Sequence, residues 1–251
     1  MIDLTGKHIF IAGGSRGIGR ATALLAARAG ADVSVNYLRD ADAADTVVRD
    51  VEALGRKAVA VQADISEDGA VRRAVDEAAD RVGPLWGLVI SAGIFEPAPI
   101  EEMTAEFWDR NMAINVRGTF LAVKAAVPHL RARKGGSVVI YTSTAGQRGS
   151  DIYSAYATSK GAQLLFMRSM AKELAPDRVR VNCVAPGWTE TDMATATIDA
   201  LGREDIVASI PLGRIGRPED PAAAACFLLS DLAQFITGST ITVDGGFDMR
   251  G

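Results

Sequence analysis

The 251 residues are 48% hydrophobic and 23% charged, a balance that suits one large buried core and excludes disordered, fibrous and low-complexity classes. A net charge of −4 gives no basic footprint for nucleic acid or an anionic membrane, so neither is expected as a partner and a small soluble ligand is. Cys183 and Cys226 lack CxxC spacing, and His8 and His129 have no ligand-like neighbours, which argues against zinc, disulfide and metal chemistry and for a reducing cytoplasm. The first predicted strand begins within ten residues of Met1 and charge interrupts every apolar stretch, so neither a signal peptide nor a spanning helix is expected.

β-branched runs and helical periodicity alternate along the whole chain. Residues 7–12 (KHIFIA) read as a strand and 17–29 as a helix. Strand 32–36 (DVSVN) precedes helix 42–54, and strand 57–62 (KAVAVQ) precedes helix 67–81. Strand 86–91 (WGLVIS) leads into a long helical region, 101–132, and strand 136–142 (GSVVIYT) into helix 155–175. After strand 178–184 (RVRVNCV) comes the longest irregular stretch, 186–204, overlapping a substrate loop expected to be flexible over about 188–212. Helix 218–230 and strand 239–243 (STITV) close the chain. Parallel neighbours need crossover connections, so this alternation predicts an α/β fold in one domain: a doubly wound, seven-stranded parallel sheet with helices on both faces. Ligands of such sheets bind at the carboxyl ends of the strands, where the strand order reverses.

The motifs fall at those ends. IAGGSRGIGRA (11–21) follows the first strand and opens the first helix, so its glycines permit a tight turn while unpaired N–H groups face a pyrophosphate. Gly13, Ser15, Arg16, Gly17, Ile18 and Gly19 are therefore cofactor-binding candidates. The second strand ends in Asn36, Tyr37, Leu38 and Arg39, with no acid before Asp40. A carboxylate there would repel a 2′-phosphate, whereas Arg16 and Arg39 can pair with one. NADP(H) is favoured, with NAD(H) left open because Asn36 can accept either. Asp64, with Ile65, is placed to meet the adenine, and Ser91, Ala92 and Gly93 the cofactor ribose.

Ser143, Tyr156 and Lys160 form the reacting set. Tyr156 and Lys160 stand at i and i+4 on one helical face, where an ammonium can lower the phenol's pKa. A proton donor working near neutrality needs about 4 kcal/mol of such help. Hydride arriving at a carbonyl carbon leaves charge on oxygen, which hydroxyls of Ser143 and Tyr156 can stabilise.

With the glycine loop, Asp64, the AG pair at 92 and 93, NVRG from Asn115, STAG from Ser143, YATSK from Tyr156 and PGWTET at 186–191, the chain resembles the short-chain dehydrogenase/reductase family over nearly its whole length. Members similar to 3-oxoacyl-[acyl-carrier-protein] reductases and to sugar dehydrogenases are the relevant ones. The resemblance implies a Rossmann fold, a nicotinamide cofactor and a catalytic set of Asn115, Ser143, Tyr156 and Lys160. Asn115 would hold a water connecting Lys160 to solvent, Lys160 the ribose hydroxyls, and Pro186, Gly187, Thr189 and Thr191 the carboxamide and phosphates. Ser143 and Tyr156 would meet the substrate, walled by Phe95, Gln147, Ile152, Trp188 and Met193. Tyr153, on nearly the same helical face but lacking a cation four residues on, is pocket lining. Four positions depart from the family pattern: Ala12 before the first glycine, Ile90 and Ser91 before the AG pair, and Trp86 at the fourth strand's start. They put the bracing of the glycine loop in doubt.

Helix 155–175 is apolar nearly all round its first turns, so one side should meet the sheet and the other a second subunit. The resemblance implies a homotetramer, a dimer of dimers, with the tail ITVDGGFDMRG at an interface. The reading is an enzyme acting on CH–OH groups with NAD(P), foremost an NADPH-dependent ketone or 3-oxoacyl reductase. A sugar, polyol or other secondary-alcohol dehydrogenase is the alternative, and a non-catalytic dinucleotide-binding regulator a third reading.

Overall fold

In the computed structural model, which describes residues 1–249, each β-branched run forms a strand and each Ala-rich stretch a helix. In chain order they are β1 (His8–Ala12), α1 (Gly17–Arg28), β2 (Asp32–Tyr37), α2 (Ala41–Glu52), β3 (Ala58–Gln62), α3 (Asp68–Val82) and β4 (Leu85–Ile90). There follow α4 (Ala105–Asn111), a π-helical turn (Met112–Arg117), α5 (Gly118–Arg133), β5 (Gly136–Tyr141), α6 (Ala145–Arg148) and α7 (Ser154–Leu174). The chain continues with β6 (Val179–Pro186), α8 (Asp192–Leu201), α9 (Arg203–Ser209), α10 (Glu219–Leu229) and β7 (Thr240–Val243). All seven strands are parallel, in the order β3-β2-β1-β4-β5-β6-β7.

Side-chain alternation assigns the two faces. Phe10, Leu88, Ile90, Val138 and Ile140 pack with Val75 of α3, Leu121 of α5 and Met167 of α7. Ile9, Ile11, Val89 and Val139 pack with Ala23 of α1, Val47 of α2 and Leu228 of α10. The sheet is thus dry on both faces, as a parallel sheet requires. Strand order reverses between β1 and β4, which brings Gly13 beside Ala92.

Two expectations are corrected. The region 101–132 is not one helix, because residues 101–104 turn and a π-helical turn interrupts the rest around Asn115. The stretch 186–204 is not irregular. Its Thr-rich segment has poor helix propensity, yet α8 and α9 form because Ile198, Ile206, Ile210 and Ile215 make a small separate core with Trp188 and Ala194.

His8, in β1, is 4% exposed. Its Nδ1 donates to the Gly83 carbonyl at 2.7 Å, so Nε2 accepts from Ser34 Oγ at 2.6 Å. Burial pushes its pKa from 6.5 down to about 4. The unfolded chain therefore binds a proton before the folded one, and stability is lost as pH falls from 6.5 to about 4. The loss is on the order of 3 kcal/mol. We expect His8→Gln to flatten this part of the pH profile in urea unfolding; an unchanged slope would refute the assignment.

Candidate active site

Gly13 turns the chain out of β1 with φ +74°, and a Cβ there would come within 2.6 Å of the Ala92 backbone. Gly19 is as constrained, since a Cβ would meet the Gly13 carbonyl at 2.1 Å. The Ala12 carbonyl accepts from both Ser91 N and Ala92 N at 2.9 Å, and Gly14 N donates to the Asn36 carbonyl at 3.0 Å. The doubt over Ala12, Ile90 and Ser91 is thereby corrected, because backbone groups brace the loop while Ala12 and Ile90 fill the core. Trp86 lies between cations, with Lys7 Nζ 4.6 Å and the Arg133 guanidinium 5.5 Å from its ring.

The first turn of α1 has no acidic residue and no side-chain cap from Arg16. Its N–H groups lie beside Ser15, Gly17 and Ile18, and a Cβ on Gly17 would meet Thr191 at 3.4 Å. Uncapped amides at a helix start, flanked by glycines and facing the Thr191 side, fit a dinucleotide's pyrophosphate. Arg16 and Arg39 are exposed and have no ion-pair partner among the described residues. Asp40 is held as the cap of α2, accepting from Ala43 N at 2.9 Å. Asn36 differs from expectation: 2% exposed, it donates to the Val61 and Ala63 carbonyls at 3.3 and 3.1 Å. It ties β2 to β3 and does not present its amide to a ribose. Asp64 accepts from Ser66 N and Oγ at 2.8 and 2.6 Å, and Ile65 is buried against Gly118.

Beyond β4, β5 and β6 opens a cavity of about 390 Å³ lined by Ser143, Tyr156 and Lys160 and, across from them, Gly93, Gly187 and Thr189. Pro186, Thr191 and Ser91 complete that side. Lys160 Nζ donates to the Tyr141 carbonyl at 2.8 Å and lies 5.7 Å from the Tyr156 ring centre. Ser143 Oγ accepts from Ala145 N at 3.1 Å and lines the same cavity as the Tyr156 phenol.

Asn115 lies beneath, fully buried. Its Oδ1 accepts from Ile94 N at 2.9 Å, and its Nδ2 donates to the Ile94 carbonyl at 3.1 Å and Ser159 Oγ at 2.9 Å. The Asn115 carbonyl accepts from Thr119 Oγ1 at 2.7 Å and Gln163 Nε2 at 2.8 Å. Holding this side chain against Ile94 coincides with the π-helical turn, a distortion often found at functional sites. Gly93 sits between, since a Cβ would be 3.0 Å from Asn115 Oδ1 and 3.7 Å from Lys160 Nζ.

The protein's own groups do not produce the expected lowering of the Tyr156 pKa. Burial pushes the phenol up to about 12, against the opposing effect of the Ser143 hydroxyl. Burial also pulls the Lys160 ammonium down to about 8. Lowering the phenol below its ordinary value would require further positive charge at the site.

Phe95, Ile152, Trp188 and Met193 line the cavity as expected, but Gln147 does not. It faces a separate hollow with Thr242, Asp244, Asp248 and Met249, its Nε2 3.4 Å from Thr242 Oγ1. Tyr153 precedes α7 and does not share a helical face with Tyr156, yet it lines the cavity with its ring on Phe95. Sequence reasoning missed Arg148, Leu201 and Phe247 in the lining, and Ser159 and Gln163 in the buried network. The i, i+4 pairing of Ser159 with Gln163 on a largely apolar helix was the available signal for the network.

The enoyl-(acyl carrier protein) reductase family model matches residues 12–248. A 3-oxoacyl-[acyl-carrier-protein] reductase of Synechocystis is 38% identical over 250 residues, 99% of this chain and 100% of the relative. A short-chain type dehydrogenase/reductase from Mycobacterium ulcerans superposes with a TM-score of 0.93 at 35% identity, covering 98% of this chain and 90% of that one. A gluconate 5-dehydrogenase from Burkholderia cenocepacia, solved with NADP and tartrate, gives 0.93 at 32% identity over 98% and 96%. With a parallel sheet that reverses at a glycine loop and a tyrosine–lysine pair at its carboxyl edge, this chain belongs to the short-chain dehydrogenase/reductase family, whose members are oxidoreductases moving a hydride between a nicotinamide and a carbonyl or secondary alcohol.

Proposed function

We propose that the protein is an NADP(H)-dependent reductase of ketones or 3-oxoacyl groups. The observation that carries this is the convergence of Ser143, Tyr156 and Lys160 on one mostly apolar cavity. NADPH, when bound, supplies the hydride. Ser143 and Tyr156 then hold the carbonyl oxygen as charge develops on it, and Tyr156 gives that oxygen its proton. Lys160 adds positive charge beside the phenol and orients the ribose. Asn115 acts as a positioning residue, fixing the Ile94 backbone and Ser159; its carbonyl has two protein donors already, which favours this role over the expected water-binding one. The likeness to a 3-oxoacyl-[acyl-carrier-protein] reductase and to a dehydrogenase solved with NADP supports the reading. The test is NADPH oxidation with a panel of ketones and 3-oxoacyl thioesters. Turnover of none of them while NADPH still binds would overturn it.

Preference for NADP(H) rests on Arg16 and Arg39 and on Asp40, whose carboxylate is engaged at the start of α2. Arg39→Ala is expected to weaken NADPH binding about tenfold, or about 1.4 kcal/mol, and leave NADH nearly unchanged. Fluorescence titration of both cofactors checks this; equal effects on the two would refute it.

A homotetramer is supported by exposed apolar side chains on α5 and α7. Leu165 is 64% and Phe120 45% exposed, and Phe120 meets Phe166 edge-on at 6.5 Å. The proposed interface tail includes residues 250 and 251, which lie outside the described residues. Leu165→Glu is expected to halve the particle mass in light scattering, and an unchanged mass would refute this interface. No helix of the described residues is long and apolar enough to cross a membrane, and the free, buried Cys183 and Cys226 suit a reducing cytoplasm.

A further inference from the structure

The wall beside Tyr156 is built from aromatic rings arranged in a definite way. Phe95 stacks on Tyr153 with centroids 4.3 Å apart and planes at 8°. It meets Tyr156 edge-on at 4.8 Å and 70°, and Trp188 edge-on at 6.4 Å and 78°. Phe95 is therefore the hub, and its backbone is fixed through Ile94, whose N–H and carbonyl are both held by Asn115. The Tyr153 hydroxyl is 3.4 Å from Thr197 Oγ1 of α8, so this ring presents carbon surface to the cavity.

The lining carries hydroxyls at Thr142, Ser143, Thr144 and Ser150 and a carboxylate at Asp151, but its cations are committed. Arg148 lays its guanidinium 4.7 Å from the Phe247 ring centre and its Nε 4.0 Å from an Asp248 carboxylate oxygen. Lys160 is buried on the Tyr141 carbonyl. On the helices beside the cavity, Arg203 is held by Glu190 and Asp199. Among the described residues, no uncommitted cation lines the cavity to meet a substrate carboxylate or the phosphate of a carrier arm. A polyol lodged on the Phe95, Tyr153 and Trp188 side would leave hydroxyls against rings there, and each unpaired one costs about 1–3 kcal/mol. A flat apolar ring loses nothing there and gains about 0.5–1.5 kcal/mol from aromatic contact beyond its area burial.

We propose that the substrate is a ketone flanked by a flat apolar ring, an aryl or ring-fused cyclic ketone, lodged against Phe95 and Trp188 with its oxygen at Ser143 and Tyr156. This deepens the carbonyl-reductase reading and rests on it. In the reaction, hydride from NADPH adds to the carbonyl carbon, the C=O π bond breaks, and the oxygen takes the Tyr156 proton to give a secondary alcohol and NADP⁺.

The experiment measures kcat/KM with NADPH for 1-tetralone and acetophenone, for an acetoacetyl thioester, for 5-ketogluconate and for 2-butanone. The ring ketones are expected to exceed the thioester and the keto acid at least tenfold. Phe95→Ala is expected to lower kcat/KM for 1-tetralone about tenfold more than for 2-butanone. Phe95→Leu keeps the apolar volume and should show the same split if the alanine variant fails to fold. Preference for the thioester or the keto acid, or an equal loss on every substrate in both variants, overturns the ring proposal and leaves the reductase reading standing. Absence of turnover with every carbonyl while NADPH binds overturns both.

Discussion

Tyr156→Phe is expected to lower kcat by at least about 10³-fold, because it removes both the proton donor and one of two hydrogen-bond donors to the developing oxyanion. General acid catalysis alone contributes about 10²–10⁴-fold and an oxyanion donor about 10²–10³-fold, and the two losses overlap in one hydroxyl. The substitution leaves the ring in place, so the edge contact with Phe95 at 4.8 Å persists and NADPH affinity should change less than about twofold. The pH profile carries a second consequence. Burial raises the phenol to about 12, so the protonated form predominates at neutral pH before any further charge acts. Reduction should be nearly flat with pH on the acidic side, whereas oxidation of the product alcohol, which needs the phenolate, should rise steeply with pH. Steady-state rates in both directions between pH 6 and 9 check this; residual activity within tenfold of the native enzyme would remove Tyr156 from the proton-transfer role.

Strands and their ends were legible because β-branched runs and glycines act locally. Each expected strand is present, shifted by no more than two residues at either end. Tyr156 and Lys160 were legible through their i, i+4 spacing together with the chain's other motifs, because such spacing alone also occurs on ordinary surface helices. What lies in contacts between distant segments was not. The π-helical turn follows from Asn115 reaching back to Ile94, and no periodicity in 101–132 announces it. Helices α8 and α9 depend on four isoleucines converging from 198, 206, 210 and 215, a packing event that propensity cannot register. Gln147 shows the limit for site residues. Its position close after Ser143 suggested the cavity, but the short helix α6 turns it toward Thr242 instead. Asn36 was misread because an asparagine at a strand end can serve either a ligand or the neighbouring strand, and only the carbonyls of Val61 and Ala63 decide between them.

Lys160→Met is expected to move activity and stability in opposite directions. The ammonium is 6% exposed, and burial pulls its pKa from 10.5 to about 8. The unfolded chain therefore binds the proton more tightly, stability rises as pH climbs from about 8 to 10.5, and below pH 8 the folded state carries the full penalty of burying the charge. A depression of that size corresponds to about 3 kcal/mol. Methionine fills similar volume without charge, and losing the hydrogen bond to the Tyr141 carbonyl costs about 1–2 kcal/mol. The net gain at pH 7 is about 1–2 kcal/mol, which for a chain of this size raises Tm by about 2–8 °C. Without the cation the ribose loses its donor and the site loses the positive charge beside the phenol, so kcat should fall at least about 10²-fold. Such a pairing is the signature of a residue held at the site against the preference of the fold. Thermal unfolding of the protein without added cofactor, alongside steady-state kinetics, decides the matter: a variant both inactive and several degrees less stable would make Lys160 a structural strut of β5, and its burial would then need a different explanation.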